Sequence, residues 1–140
     1  MTKTQMLFDS NIIYRLIREL PESAMKKLVE GSTINLAYYE LGNALWRETF
    51  LLKRINLEEA QKSLDLMSSL LDSMQVTSID NQTGIEVLQR AYESHLTFYD
   101  AAYLVEAKKS GKTVVTDDNK LAKAAENLGI KVLSSNSLMQ

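Results

Sequence analysis

Short apolar runs alternate with helical patterns along the whole chain, and this alternation constrains the fold more than any other feature. Five of the runs have the length of a strand, and they cover residues 6–9, 32–35, 75–79, 113–116 and 130–133. Strands separated by helices are typical of a parallel sheet with helices on its faces. The sequence therefore predicts an α/β protein with about five strands and about seven helices in three α/β/α layers. The 140 residues fit a single domain over residues 1–140.

The first three helices are predicted by apolar residues that recur at intervals of three and four. The first carries Ile12, Ile13, Leu16, Ile17 and Leu20. The second begins at Pro21, carries Met25, Leu28 and Val29, and ends at Gly31. The third carries Leu41, Leu45 and Trp46. Each helix therefore has an apolar face that it can bury against the sheet.

Three segments have the form of a capping box, in which a polar N-cap residue is followed three positions later by an acidic residue. They are Asn56 with Glu59, Thr83 with Glu86, and Thr97 with Asp100. The first box predicts a helix with an apolar face of Leu57, Ala60, Leu64, Met67 and Leu71. The second predicts a helix that buries Ile85, Leu88 and Tyr92. The third predicts a helix that ends near Gly111, and a last helix carries Leu121, Ala125 and Leu128.

Four acidic residues stand where predicted strands end or predicted helices begin. They are Asp9, Glu40, Asp100 and Asp118. The carboxyl ends of parallel strands gather at one edge of a sheet, where ligands bind, so we expect the four carboxylates to meet there. Such a group would repel itself unless a hard divalent cation such as Mg²⁺ or Mn²⁺ were bound. A cation of this kind acidifies water and stabilises the charge that develops when a phosphodiester is attacked.

Each of these acids also has a structural interpretation. Asp9 and Asp118 could cap helices, and Asp100 could be the carboxylate partner of Thr97. Glu40 has mostly apolar neighbours, and a carboxylate in a core-facing segment is rarely left unpaired. Capping alone would not require all four acids to fall beside the same edge of the sheet. Their joint pattern therefore favours a metal site.

The composition argues against disulfides, against cysteine or histidine metal sites, and against a membrane location. The absence of cysteine excludes disulfides and thiolate zinc sites, and a single histidine, His95, argues against a centre built from several histidines. The sequence contains no run of 18 apolar residues that could span a membrane, and no long signal-type apolar region. We therefore expect a cytoplasmic protein. The net charge of −2 neither excludes nor favours a phosphate-bearing substrate.

Four segments, at residues 9–12, 40–44, 97–103 and 115–121, resemble in their order and spacing the PIN-domain family, and in particular the VapC-type toxin ribonucleases of VapBC toxin–antitoxin pairs. The resemblance implies a parallel sheet with a strand order like 3-2-1-4-5. It also implies Mg²⁺- or Mn²⁺-dependent endoribonuclease activity that leaves a 3′-hydroxyl and a 5′-phosphate. A homodimer and a small antitoxin, whose tail blocks the site, are the partners that it suggests.

The resemblance also implies roles for the acids. Asp9, Glu40 and Asp100 would hold the principal metal ion, and Asp118 would complete the site through a water molecule or a second ion. The family usually has a small or polar residue at the position of Asp117. We therefore take Asp118 as the fourth acid, and this assignment fails if Asp117 points inward instead.

Other polar and basic residues near the acids could contact the substrate. The resemblance implies that Ser10 and Thr116 lie close enough to orient water or phosphate. The basic residues Arg15, Arg18 and Lys120 could bind RNA phosphates. Trp46 and Phe50 could stack on bases, although apolar residues at this spacing more often fill a core or a subunit interface.

Three alternatives remain beside the toxin ribonuclease. The first is a PIN-domain nuclease of RNA maturation or decay. The second is a receiver-like signalling domain, for which Asp80 would be a poor phosphate acceptor. The third is a non-catalytic RNA-binding or protein-binding module. Nucleotide cofactors are disfavoured because no G-x-G-x-x-G or G-x-x-x-x-G-K-[ST] motif occurs.

Overall fold

A parallel sheet lies at the centre of the structure, a computed structural model that describes residues 5–19 and 21–139. Its five strands are β1 (Met6–Phe8), β2 (Ser32–Ile34), β3 (Gln75–Thr77), β4 (Thr113–Val115) and β5 (Val132–Leu133). All pairs are parallel, and the order across the sheet is β3-β2-β1-β4-β5. This confirms the predicted fold and strand order. Each strand is one to two residues shorter than the apolar run that predicted it.

Helices cover both faces of this sheet. They are α1 (Ser10–Glu19), α2 (Pro21–Leu28), α3 (Leu36–Trp46), α4 (Leu57–Ser73), α5 (Asn81–Ser94), α6 (Phe98–Ser110), α7 (Asn119–Asn127) and α8 (Ser135–Met139). A π-helical turn, Arg47–Leu51, continues α3. Neither this turn nor α8 is predicted by the sequence patterns. Leu20, which was predicted on the first helix, lies outside the described residues.

The central strand β1 divides the core in two, because successive side chains of a strand point to opposite faces. Phe8 packs with one layer, which includes the apolar faces of α1, α3 and α4. Leu7 packs with the other layer, where α5, α6 and α7 cover the sheet. Both side chains are buried. The residue that follows them, Asp9, is therefore held at the end of a strand that is packed on both sides.

Gly31, between α2 and β2, allows the chain to pass close to this central strand. A Cβ atom at Gly31 would lie 2.2 Å from Cε2 of the Phe8 ring and 2.8 Å from its Cδ2. Phe8 is fully buried in a packed core, so its ring has little room to move aside. Glycine is therefore required here by close approach.

The capping predictions have mixed outcomes. The box of Asn56 and Glu59 is confirmed, since Asn56 Oδ1 accepts from the Glu59 N–H at 2.8 Å and the Asn56 N–H donates to Glu59 Oε1 at 3.1 Å. Thr97 caps α6 by accepting from the Asp100 N–H. The box at Thr83 is wrong, because Asp80 is the N-cap of α5 and accepts from the Thr83 N–H at 2.8 Å. The helix thus begins one turn earlier than predicted.

The predicted buried face of α5 is also wrong. Ile85, Leu88 and Tyr92 are exposed, and the residues that α5 buries are Thr83, Val87 and Ala91. These smaller side chains lie toward the alanine-rich helix α6 and allow the two helices to pack closely. Trp46 and Phe50 are likewise exposed, and their rings stack on each other at 5.6 Å between centroids. The core interpretation of this pair is therefore wrong.

Within the described residues, no helix has both the length and the apolar character that a membrane-spanning segment needs.

Candidate active site

Asp9 lies directly after β1 and is buried at the carboxyl edge of the sheet. Its Oδ1 accepts from the Ile12 N–H at 2.9 Å, which caps α1, and its Oδ2 accepts from the hydroxyl of Thr116, which follows β4. The pKa of Asp9 is raised to about 6, mainly by burial; the hydrogen bonds from Thr116 and Ile12 oppose this rise, and the nearby charge of Glu40 adds to it. The capping role expected of Asp9 is therefore present, but it occupies only one of the two oxygens.

Glu40, on the first half of α3, faces the same edge. Its Oε1 accepts two hydrogen bonds, from Ser10 Oγ at 3.0 Å and from the Tyr103 hydroxyl at 2.7 Å. Tyr103 is a buried residue of α6, and burial, followed by the charge of Glu40, raises its pKa strongly. Tyr103 is therefore a neutral donor, and together with Ser10 it fixes the direction of the Glu40 carboxylate.

Asp100 and Asp118 form a second pair of acids. Burial raises the pKa of Asp100, and the charge of Asp118 raises it further. Asp118 caps α7, since its Oδ1 accepts from the N–H groups of Lys120 at 2.8 Å and Leu121 at 3.1 Å. Its own N–H donates to Thr116 Oγ1 at 3.0 Å, the hydroxyl that also donates to Asp9. Thr116 therefore links the two pairs.

Asp117 faces α8. Its Oδ1 accepts from the Ser135 N–H at 2.9 Å, and its Oδ2 accepts from Ser135 Oγ at 2.6 Å and from Arg15 Nη1 at 3.0 Å. Burial tends to raise the pKa of Asp117, but the hydrogen bonds from Ser135 and Arg15 outweigh it and lower the pKa. Its oxygens are thus committed to a structural contact, whereas Asp118 lies beside Asp100.

The three basic candidates differ in their surroundings. Arg15 forms ion pairs with Glu19 and Asp117. Arg18 lies over the ring of Tyr14 and donates to its hydroxyl at 2.9 Å. Lys120 lies close enough to Asp100 for its charge to counter the rise in the pKa of that carboxyl. Among these three, Lys120 is the one whose charge acts on the acids.

The donor chemistry of this site suits a divalent cation. All four acids offer carboxylate oxygens, and the raised pKa of Asp9 and of Asp100 reflects burial together with mutual repulsion, which a cation would relieve. The acids stand as two pairs, and no three histidine, cysteine or acidic side chains of the described residues are grouped closely enough to hold an ion. Mg²⁺ commonly uses only one or two carboxylates and keeps several waters, so a pair of acids fits its needs.

Tyr103 belongs to the segment 97–103 that carries the family resemblance, but the sequence patterns give it no role in the site. It follows Asp100 by three positions on α6 and therefore lies on the same side of the helix. A tyrosine in a buried helical segment usually needs a hydrogen-bond partner for its hydroxyl. This requirement, applied to Tyr103, would have predicted a hydrogen-bond acceptor for its hydroxyl but not which residue supplies it.

Two relatives match most of the chain. Exonuclease VapC9 from Pyrobaculum aerophilum is 34% identical over 115 residues, which are 82% of this chain and 81% of that protein. Ribonuclease VapC3 from the same organism is 31% identical over 108 residues, which are 74% of this chain and 78% of that protein.

Solved structures share the fold. The crystal structure of PAE2754 from Pyrobaculum aerophilum has a TM-score of 0.79 at 29% identity and covers 97% of this chain and 94% of its own. DNA-bound VapBC from Salmonella typhimurium has a TM-score of 0.67 at 18% identity, with coverage of 94% and 98%. At this low identity, the similarity to VapBC shows only that the two proteins share a fold.

The sequence pattern of the PIN domain matches residues 6–127, which include the four acids, Ser10, Tyr103 and Thr116. This span covers most of the chain. Together with the relatives, it shows that the chain belongs to the PIN domain family.

Proposed function

We propose that the protein is a Mg²⁺- or Mn²⁺-dependent endoribonuclease and the toxin of a toxin–antitoxin pair. The observation that carries this proposal is the arrangement of two acid pairs at one sheet edge, linked through Thr116 and held by hydrogen bonds from neutral hydroxyl groups. Membership of the PIN domain family and similarity to proteins named as VapC nucleases support it.

Asp9 with Glu40, and Asp100 with Asp118, would each bind a cation as a pair, with bound waters completing its ligands. When bound, the cation would supply Lewis-acid stabilisation of the charge that develops at phosphorus and would lower the pKa of water. Attack of a water oxygen on phosphorus breaks the bond to O3′ and leaves a 3′-hydroxyl and a 5′-phosphate.

The side chains around the acids would keep the carboxylates in place during this reaction. Ser10 and Tyr103 direct Glu40, and Thr116 directs Asp9. All three are neutral donors, so they orient each carboxylate without cancelling its charge. Lys120, beside Asp100, would contact a phosphate of the substrate. His95 is not required as a general base in this scheme.

The experiment that tests the proposal compares a linear RNA with a circular RNA of the same sequence, each incubated with Mn²⁺. The native chain should cut both, because an endonuclease needs no free end, and Asp100→Asn should cut neither. Cleavage of the linear RNA alone would indicate an exonuclease. Full cleavage in excess chelator would contradict metal dependence, and growth arrest by the native chain but not by Asp100→Asn would support a toxin.

Two exposed apolar surfaces suit the proposed partners, a second copy of the chain and a small antitoxin. The α5 stripe consists of Ile85, Leu88 and Tyr92, and the α3-end patch consists of Trp46, Phe50, Leu51 and Leu52. Contiguous exposed apolar residues usually mark interaction sites. Two such surfaces on one chain are consistent with two separate interfaces.

The homodimer can be tested by light scattering. A dimer should have about twice the 15.8 kDa mass of the chain. A lysine placed in the dimer interface, by Leu88→Lys or by Trp46→Lys, should give monomers, because it would bury an unpaired charge. Gln82→Lys, at an exposed polar position of α5, is the control. A native chain that remains monomeric at high concentration would contradict the proposal.

Asp118→Asn is expected to lower cleavage at least tenfold, whereas Asp117→Asn should leave it within about twofold. Both asparagines keep an acceptor oxygen, so the α7 cap and the bond from the Ser135 N–H can persist. Only the first substitution removes a charge beside Asp100. The measurement is the initial cleavage rate at saturating Mn²⁺. Equal losses in the two variants would contradict the choice of Asp118 as the fourth acid.

Tyr103→Phe is expected to weaken Mn²⁺ binding by about 10- to 100-fold, since groups that orient a metal ligand typically have effects of this size. The substitution removes only the hydroxyl that donates to Glu40. Binding is measured by calorimetry without RNA, and circular dichroism checks the fold. Tyr92→Phe removes the same group from an exposed tyrosine of α5 and should change nothing. Native affinity in a folded Tyr103→Phe variant would show that Tyr103 does not position Glu40.

A further inference from the structure

A cavity of about 530 Å³ adjoins the acid site. Ser10 and Glu40 line it, together with residues of α3 and α6 that have no role in the reaction described above. Its volume lies within the range of sites that hold small organic groups, which is roughly 300–1,000 Å³. Whatever occupies this cavity must therefore lie directly beside a carboxylate at which phosphodiester cleavage would take place.

Two tyrosine rings from different helices line this cavity. Tyr39 of α3 is 70% exposed, and Tyr99 of α6 is 60% exposed. Tyr39 makes an edge contact with Tyr38, 6.0 Å between ring centroids. Exposed aromatic rings beside a site of phosphodiester chemistry are suited to stacking with unpaired bases, which is how proteins commonly hold single-stranded nucleic acid.

A polar and a charged side chain also line the cavity. Asn43 and Arg47 are four positions apart on α3 and its π-helical continuation, and both line the cavity. Neither side chain bonds to another described residue, so both can bind a ligand. An amide has two donors and an acceptor for the edge of a base, and a guanidinium is suited to a phosphate. The cavity therefore offers stacking, edge recognition and a cation in one place.

We propose that this cavity binds an unpaired nucleobase of the RNA next to the scissile phosphate. The base stacks on Tyr39 or Tyr99, its edge meets Asn43, and the adjoining phosphate meets Arg47. This subsite rests on the proposed ribonuclease function and deepens it. It gives cleavage a base preference at one position, because the edge of the bound base meets Asn43.

The test measures binding of a short single-stranded RNA by fluorescence anisotropy, in an Asp100→Asn background that prevents cleavage. At least one of Tyr39→Leu and Tyr99→Leu should weaken binding by about 5- to 150-fold, the usual effect of losing one stacked base. Tyr92→Leu, at a tyrosine that is 84% exposed on α5, is the matched control and should bind like the parent. Asn43→Ala should reduce the preference among RNAs that differ at one base.

An RNA with an abasic site at the preferred position separates base binding from backbone binding. The parent should bind it as weakly as Tyr39→Leu or Tyr99→Leu binds the intact RNA. If RNA is cleaved by the native chain but both leucine variants bind like Tyr92→Leu, the subsite is wrong and the ribonuclease function stands. If the leucine variants weaken binding of the abasic RNA as much as that of the intact RNA, the cavity does not hold a base. If the native chain cleaves no RNA, both proposals fall.

Discussion

Asp9→Asn is expected to abolish RNA cleavage, with a loss of at least about 100-fold. Asparagine has nearly the same shape, and its Oδ1 can still accept from the Ile12 N–H and cap α1. The change removes one negative charge from the pair with Glu40. Because removing a group that merely orients a metal ligand costs about 10- to 100-fold, removing a ligand charge should cost more. Cleavage of a defined RNA at saturating Mn²⁺ measures the effect.

Matched variants show whether the loss of cleavage is specific to the acids of the site. Asp100→Asn should behave in the same way, since Asp100 belongs to the second acid pair. Asp65→Asn, at an exposed position of α4, removes the same charge away from the site and should retain full activity. All three should remain folded by circular dichroism. Normal cleavage by both Asp9→Asn and Asp100→Asn would end the nuclease proposal.

The metal-free protein is expected to lose about 3 kcal/mol of unfolding free energy through Asp9 as the pH rises from about 4 to about 6. The pKa of Asp9 rises from 3.8 in the unfolded chain to about 6 in the folded one, so the folded state binds its proton more tightly. This contribution is fully present below pH 3.8 and is lost as the pH passes through about 6. Burial of the carboxylate is its main cause.

Urea unfolding in chelator, at several pH values, checks this expectation. Asp9→Asn has no proton to lose, so the difference between it and the native chain isolates Asp9 from the other acids. Above pH 6 the variant should be the more stable of the two by up to about 3 kcal/mol. Mn²⁺ at 100 times its dissociation constant should then stabilise the native chain by about 2.7 kcal/mol and leave Asp9→Asn nearly unchanged. A native–variant difference that does not depend on pH would contradict the expectation.

The architecture was predictable from the sequence because its signals are local. The alternation of apolar runs with helices indicates a parallel sheet, and Asn56 with Glu59 begins a helix through contacts within four residues. The face of α5 was not predictable in this way. Its two sets of candidates, Thr83 with Val87 and Ala91, and Ile85 with Leu88 and Tyr92, both keep helical spacing. Close packing against α6 selects the smaller set, and this choice depends on a neighbour that periodicity does not describe.

The place of the acids at the carboxyl edge of the sheet could be predicted from the sequence, but their division into two pairs and their hydrogen-bond partners could not. Asp117 and Asp118 are adjacent, and only the contacts with Ser135 and with the start of α7 distinguish them. The pairing of Tyr103 with Glu40 joins residues 63 positions apart. Such contacts depend on how helices are placed around the sheet. They are therefore visible only in three dimensions.

The bond between Thr116 and Asp9 also has a consequence for synthesis on the ribosome. The two residues are 107 positions apart, and β1 meets β4 only after most of the chain has been translated. A nascent chain, or a fragment released by premature termination before Thr116, lacks Asp118 as well as the neighbour that holds Asp9. Fragments that end before Thr116 should therefore lack the proposed nuclease activity.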